Sequence, residues 1–414
     1  MFNILKKTPT HWIALADQIL VSGSNFLVGI ILARTFGVQL FGVYVIATTF
    51  LLYANTFQSS LVVSSMMTAI PHEVDEEKKQ ILLSGFLGYA ISLSFVCAMG
   101  IALISNLLGS LFPSLQLGIN LWPLILVIFG FQLQDWLRRA LYAQQKVQGV
   151  LVLDSMAYGS QMLCLGLLYL ENSITPSAAL FSTAGAFFFS ALLMLVVYKI
   201  RPSLKFALYV IKTYWKGSRD YFAAWQLQWV GSQGVILVGG GALGQEVVGA
   251  IRAIQNLTGP MNIIFQWMEN VIPVRAIAHL KNSGMSGMYH FLGKVGKFGG
   301  AMLGLVVLVM YFYAEVIVVF LYGEAYRAYS FYAVLQGVYF WLGHFYRMEL
   351  YACRALEKTI DVARASFIIA LVSVIVALML VKTLGGAGIM LALIFGQTTS
   401  YLFLLYRRKL FKVV

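Results

Sequence analysis

Charged residues are what this sequence has least of. They make up 11% of its 414 residues, against about 25% in a soluble globular chain. A water-facing surface of ordinary composition is therefore excluded. Acidic side chains are the scarcer sign, 16 Asp and Glu against 29 Lys and Arg. Only three cysteines occur, Cys97, Cys164 and Cys353; they show no metal-type spacing and read as small apolar filler. The five histidines, His11, His72, His279, His290 and His344, are scattered. No nucleophile elbow, P-loop or zinc-helix motif is found. These absences count against an enzyme and against an ATP-driven pump within this chain, and no metal or cofactor is expected.

What is present is apolar and arranged in long runs. Hydrophobic residues are 60% of the chain, and the stretches 81–107, 150–170, 178–197 and 368–381 are nearly free of charge. About 20 apolar residues cross the ~30 Å hydrocarbon core as a helix. A spanning strand would alternate apolar and polar positions, and these runs do not. The expectation is an all-α polytopic membrane protein of about twelve transmembrane helices. They are placed near 12–34, 42–66, 81–107, 120–141, 149–170, 177–198, 219–240, 247–274, 297–321, 328–350, 363–382 and 388–406. The longest connections, near 199–217 and 276–296, leave no room for a separate soluble domain. Asp17, Gln18, Ser24 and Asn25 interrupt the first apolar stretch. It therefore reads as a retained helix and not as a cleaved signal peptide.

The formal charge of +13 would suggest nucleic acid in a soluble protein, but its distribution says otherwise. With the N-terminus in the cytoplasm, 25 of the 29 basic residues fall on the inner side; only Arg34, Arg252, Arg327 and Lys382 do not. That is the positive-inside bias. It predicts an even number of spans, both termini cytoplasmic, a multi-pass protein of the cytoplasmic (inner) membrane, and no nucleic-acid partner.

The chain also repeats itself. Gly23–Ser24 recurs as Gly231–Ser232, Gly37-x-x-x-x-Gly42 as Gly244-x-x-x-x-Gly249, and Arg138-x-x-Leu141-Tyr142-Ala143 as Arg347-x-x-Leu350-Tyr351-Ala352. The offsets are 208, 207 and 209 residues, or six helices each. An even repeat puts both halves in the membrane in the same direction, related by a pseudo-two-fold axis along the membrane normal, with a site expected at the repeat interface. The domains expected are a six-helix bundle over 1–200, a cytoplasmic interfacial linker helix over 201–217, and a second six-helix bundle over 218–414. In the linker, Leu204, Ala207, Leu208, Ile211 and Trp215 share one face while Lys205, Lys212 and Lys216 line another, the pattern of a helix lying on a leaflet.

Polar residues inside spans are costly and mark cavities or helix contacts. In the eighth span Arg252, Gln255, Asn256, Gly259, Asn262, Gln266, Glu269 and Asn270 recur at helical spacing on one face. Gly259 and Pro260 sit midway as a candidate hinge. This stripe reads as the wall of a hydrated substrate cavity; helix–helix hydrogen bonding is the alternative. Arg34, Asn25 and Asn55 in the first two spans join the cavity candidates. Asp17, Asp154 and Glu315 are candidates for ion coupling.

Two segments carry a family resemblance. They are Ala33-Arg34-Thr35-Phe36-Gly37-Val38-Gln39-Leu40-Phe41-Gly42-Val43-Tyr44 and Ala242-Leu243-Gly244-Gln245-Glu246-Val247-Val248-Gly249. Each resembles the loop after the first helix of a repeat in polysaccharide flippases of the MOP (multidrug/oligosaccharidyl-lipid/polysaccharide) superfamily. Leu321-Tyr322-Gly323-Glu324-Ala325-Tyr326 is similar to the pattern after the family's ninth helix, and Gly385-Gly386-Ala387-Gly388 to the turn before its last. The resemblance implies a MATE/MOP-like pair of six-helix bundles around a V-shaped cavity. It implies a polyprenyl-pyrophosphate-linked oligosaccharide, such as an O-antigen repeat unit for lipopolysaccharide, turned from the cytoplasmic to the outer leaflet by alternating access. H+ or Na+ would drive the cycle, and a polysaccharide polymerase and assembly proteins would be partners. The two extra C-terminal helices of lipid II flippases have no counterpart, which counts against a peptidoglycan precursor. Two alternatives stay open: a multidrug or cation antiporter of the same fold, and a membrane polysaccharide polymerase or glycosyltransferase.

Overall fold

In lipid, a backbone must satisfy its own hydrogen bonds, and a helix does so within one segment. The computed structural model describes residues 10–111 and 121–411, so the basic residues Lys6, Lys7 and Lys412 lie outside the described residues. For a few residues within helices, including Asp220, Pro260, Gln266 and Asn270, the side chains likewise lie outside the described residues.

Twelve helices follow one another, and their ends fall where the chain can turn. The stretch Thr10–Gln58 is two helices meeting at Gly37: α1 (10–36) and α2 (38–72), the latter with a π-helical turn at Ser59–Val63. Then come α3 (Glu76–Leu111), α4 (Leu121–Ala143), α5 (Val147–Leu170) and α6 (Pro176–Tyr198). α7 (204–243) carries a second π-helical turn at Val230–Gly234. α8 (245–283) is interrupted at Thr258, where Gln245–Leu257 ends and a helix beginning at Gly259 takes over. α9 (285–322), α10 (Phe331–Ala355), α11 (359–384) and α12 (386–411) complete the chain. The count matches the sequence expectation.

One expected connection is helical instead, and the linker helix runs on into the seventh span. The linker over 201–217 begins as a helix at Leu204 and runs without a break to Trp229, because no glycine with positive φ or proline stops it. The stretch 276–296 belongs to α8 and α9, which turn only at Gly284 (φ 65°). His279 and Phe291 stack across that turn with ring centroids 4.6 Å apart.

Six stretches are long and apolar enough to cross a membrane by length and composition: Trp12–His72, Glu76–Ile104, Val147–Leu170, Pro176–Tyr198, Val271–Tyr322 and Ile360–Lys409. Three of these contain two helices each. α4 and α10 fall below that measure, and they hold much polar content, including Gln132, Gln134, Asp135, Gln336 and His344. Such helices must be enclosed by the others. Large apolar side chains point outward elsewhere: Phe298, Phe312 and Phe320 on α9 are 71–74% exposed, as expected of a surface whose solvent is acyl chain.

The chain forms two compact units. One comprises residues up to Val28 and Val43–Gln226; the other comprises Gly29–Gly42 and Leu227–Val414. The first has its core around fully buried Trp136, Leu137 and Phe86. The second has its core around Phe265, Met288 and Tyr351. In the second unit the two copies of the repeated glycine motif meet. Gly37 and Gly244 both adopt positive φ (66° and 91°), turning the chain between α1 and α2 and between α7 and α8; a side chain there is strained. Five residues on in each copy, Gly42 abuts the Gln245 carbonyl and Gly249 abuts the Val38 carbonyl. A Cβ on Gly249 would also lie 2.8 Å from the Gly42 nitrogen. Small residues let membrane helices approach this closely and gain packing energy that lipid cannot match.

We predict that Gly249→Leu lowers the thermal unfolding midpoint of detergent-purified protein by the equivalent of about 1–3 kcal/mol of overpacking. Gly23→Ala, at a position with nothing within 4 Å of an added Cβ, should leave the midpoint unchanged.

Candidate functional site

A polar side chain buried among spans needs a partner, so the paired groups show where chemistry has been built in. The first unit holds the most charged such centre. Gln134, Arg138 and Tyr142 lie four residues apart along α4 and so share one face. Asp17 on α1 and Asp154 on α5, both fully buried, converge on that face. Arg138 Nη2 is 2.8 Å from Asp17 Oδ2, and its Nε is 2.7 Å from Asp154 Oδ2. The Tyr142 hydroxyl donates to the same Asp17 oxygen at 2.7 Å, and Gln134 Nε2 donates to Asp154 Oδ1. Asp135 and Arg139 pair at 3.0 Å one turn-face away. Two carboxylates thus share one guanidinium at the centre. If both are ionised, the triad carries one uncompensated negative charge, which a proton or a small cation would neutralise.

The sequence singled out Asp17 and Asp154 separately; the structure brings them to one point. Arg138 and Gln134 were missed as members. Arg138 had been counted with the basic cytoplasmic ends, although the i, i+4 spacing of Gln134, Arg138 and Tyr142 was a signal that could have found it. The third coupling candidate, Glu315, is placed differently. It is exposed on α9 and paired with Arg327, which also binds Glu324 at 2.7 Å.

In the second unit the polar stripe of α8 is divided by the break at Thr258. Before the break, Arg252, Gln255 and Asn256 are half-buried, and Arg252 Nη1 donates to Gln255 Oε1 at 3.4 Å. Asn256 packs against Gly29, whose missing side chain makes the room. At the break, Gln336 Nε2 on α10 approaches Thr258 Oγ1 at 3.4 Å. Pro260 follows at the first positions of the new helix, where its missing N–H costs nothing. After the break Asn262 and Glu269 are exposed, and Gln266 lies outside the described residues. The stripe is therefore two short polar faces on either side of a helix interruption, and Gly259 and Pro260 stand at that interruption. Arg34 is exposed at the end of α1 and donates to the Phe320 carbonyl at 3.3 Å. Asn25 is exposed. Asn55 is half-buried with its carbonyl oxygen buried and unpaired. Among the described residues no group of three His, Cys, Asp or Glu side chains could hold a metal ion.

No protein-family model and no curated protein matches this sequence. Solved structures do. The lipid II flippase MurJ in an inward closed conformation superposes with a TM-score of 0.73 at 14% identity, covering 97% of this chain and 87% of that one. A multidrug resistance MATE family transporter of the MOP superfamily, inward-facing, superposes at 0.71 with 13% identity, covering 96% and 95%. A MOP superfamily transporter from Pyrococcus furiosus, titled as having a binding pocket of reverse polarity that suggests a different function, gives 0.56 at 12% identity, covering 97% and 95%. The chain has the MOP transporter fold. At these identities the likeness speaks for the arrangement of the twelve helices and not for the cargo. Within the MOP fold, then, the chemistry has to be read from this chain's own polar groups.

Breaking a buried ion pair strands the other charge, at about 3–5 kcal/mol. Arg138→Gln, which strands two carboxylates, should therefore depress the unfolding midpoint more than Asp17→Asn. The double change Arg138→Gln with Asp154→Asn should recover part of the loss. Thermal unfolding of the purified proteins in one detergent checks the order.

Proposed function

We propose that the protein is a flippase. It carries a polyprenyl-pyrophosphate-linked oligosaccharide, a surface-polysaccharide repeat unit such as O-antigen, from the cytoplasmic to the outer leaflet of the inner membrane. The observation that carries this reading is the half-buried Arg252, Gln255 and Asn256 face of α8, within a fold shared with a lipid II flippase. A guanidinium flanked by amides is chemistry for phosphate oxygens and sugar hydroxyls. The break at Thr258 supplies a point where α8 can bend, with Gly259 and Pro260 as the hinge of an alternating-access cycle. Coupling to an ion gradient is assigned to the Asp17–Arg138–Asp154 centre, where a proton or Na+ would cancel the surplus charge.

A second reading, a multidrug or cation antiporter, is favoured by the likeness to MATE transporters and by the same pair of carboxylates. The two readings differ in cargo and so can be separated in vesicles.

Vesicles containing purified protein and a polyprenyl-pyrophosphate-linked oligosaccharide in one leaflet should expose the glycan to a lectin on the other side. A cationic dye should not be expelled. Arg252→Ala should slow flipping about tenfold, the equivalent of about 1.4 kcal/mol, with the protein still inserted. Undiminished flipping would remove Arg252 from the path. Asp154→Asn should leave flipping at equilibrium while abolishing its acceleration by an imposed proton or Na+ gradient. Dye efflux without glycan movement would establish the antiporter reading instead.

A further inference from the structure

The repeat places Arg347 where Arg138 stands, at an offset of 209. The groups that neutralise Arg138 have no counterparts around Arg347. At the offset of 208 that the Gly23–Ser24 match gives for the first span, Asp17 becomes Trp225; at 209, Asp154 becomes Ala363 and Gln134 becomes Gly343. The half-buried Arg347 has no ion pair or hydrogen bond among the described residues; its guanidinium carbon lies 4.1 Å from the ring centre of Phe265. That contact fixes the plane of the guanidinium but supplies no counter-charge. A cation inside a helical membrane bundle pairs with an anion or with backbone carbonyls, and among the described residues Arg347 has neither partner.

A second unpaired group shares the spot. Gln397 on α12 is 5% exposed, and its Oε1 has no partner, so no bond to that oxygen prevents the carboxamide from turning its N–H toward a ligand. Its Nε2 crowds the place where a Cβ on Gly343 would stand, and Arg347 Nη1 lies 3.1 Å from that same place. Gly343 therefore opens a space into which a guanidinium and a carboxamide both reach. Phe265 also borders an apolar pocket of about 290 Å³ lined by Met261, Ile264, Met268, Phe298, Met302 and the buried His344. Phe298 and Met302 are 74% and 55% exposed, so the pocket opens on the lipid-facing side of α9.

We infer that Arg347 and Gln397 form a phosphate-binding subsite of the second unit, for a lipid phosphate whose isoprenoid chain lies in the adjoining apolar pocket. The planar guanidinium can grip two phosphate oxygens at once, and the Gln397 amide N–H donates a third bond. The ligand's charge replaces the carboxylates that the first repeat supplies from its own chain. The flexible thioethers of Met261, Met268 and Met302 adapt to a branched chain. This subsite rests on the flippase reading for its role in transport; the guanidinium, the amide and the pocket do not.

The test uses the full-length protein in detergent and three probes: farnesyl diphosphate, inorganic pyrophosphate and farnesol. Farnesyl diphosphate should bind, with the fluorescence of Trp341, six residues from Arg347, as one readout and native mass spectrometry as another. Pyrophosphate should compete weakly and farnesol should bind at least tenfold more weakly. Arg347→Gln should weaken farnesyl diphosphate at least tenfold, Arg347→Lys by less, and Gly343→Gln, which fills the space, by an amount comparable to Arg347→Gln. Should Arg347→Gln fail to fold, Arg347→Lys and Gly343→Gln decide. Wild-type affinity in Gly343→Gln and in whichever Arg347 variants fold would overturn the subsite, as would farnesol binding as tightly as its diphosphate. Binding that follows the expected order, in a protein that moves no glycan in vesicles, would support the subsite and remove the flippase reading alone.

Discussion

A hydrocarbon solvent offers no hydrogen bonds, and every polar group held within it must be matched by the protein or by something the protein binds. Arg138 shows the first solution. Two carboxylates, an amide and a phenol, brought by α1, α4 and α5, surround one guanidinium. With both carboxylates ionised the centre carries a surplus negative charge, which under the proposed coupling a mobile cation would cancel. The groups that hold three helices together are the ones to which the proposed ion coupling is assigned.

The same constraint explains how helices meet. Between lipid-exposed spans there is little hydrophobic gain to collect, so close approach and polar contacts must do the binding. Gly42 and Gly249 bring backbone against backbone. Residues Gly29–Gly42, the end of α1 and the start of α2, belong to the second unit. Elsewhere single side chains carry the load: Ser65 and Ser218 share a hydrogen bond of 2.7 Å, and Gln58 reaches the Gln132 carbonyl at 2.8 Å.

Much of the fold was legible in the sequence because hydropathy and glycine spacing are both local properties. Runs of about 20 apolar residues marked the spans. The motifs around Gly37, Gly244, Gly323 and Gly385 marked turns, and each of those glycines has positive φ. The stretch 276–296 was misread as a connection because its polar residues resemble a loop, while the only turn in it is the one residue Gly284. The candidate site was legible in its acids and not in its base. Asp17 and Asp154 stand out because a lone carboxylate in an apolar run is costly. Arg138 sits five residues from the end of α4, where an arginine ordinarily reaches for the interface. Only the convergence of three helices, which no local pattern encodes, turns it inward. Glu315 shows the converse: an acid in an apolar run whose partner, Arg327, lies beyond the helix end.

Both halves carry an arginine in the same motif, and their surroundings treat the two differently. The first copy has Asp17, Gln134 and Asp154 around Arg138; the second has Trp225 at an offset of 208 and Gly343 and Ala363 at 209. Losing three compensating groups around a charge held among spans would ordinarily be destabilising by several kcal/mol. Under the proposed subsite the second arginine meets its counter-charge in a bound phosphate, and Gly343 leaves the room in which Arg347 and Gln397 come together. The unequal treatment of one repeated residue therefore separates two tasks, an internally compensated centre in one unit and an externally compensated one in the other. A symmetric pair of arginines could not perform both.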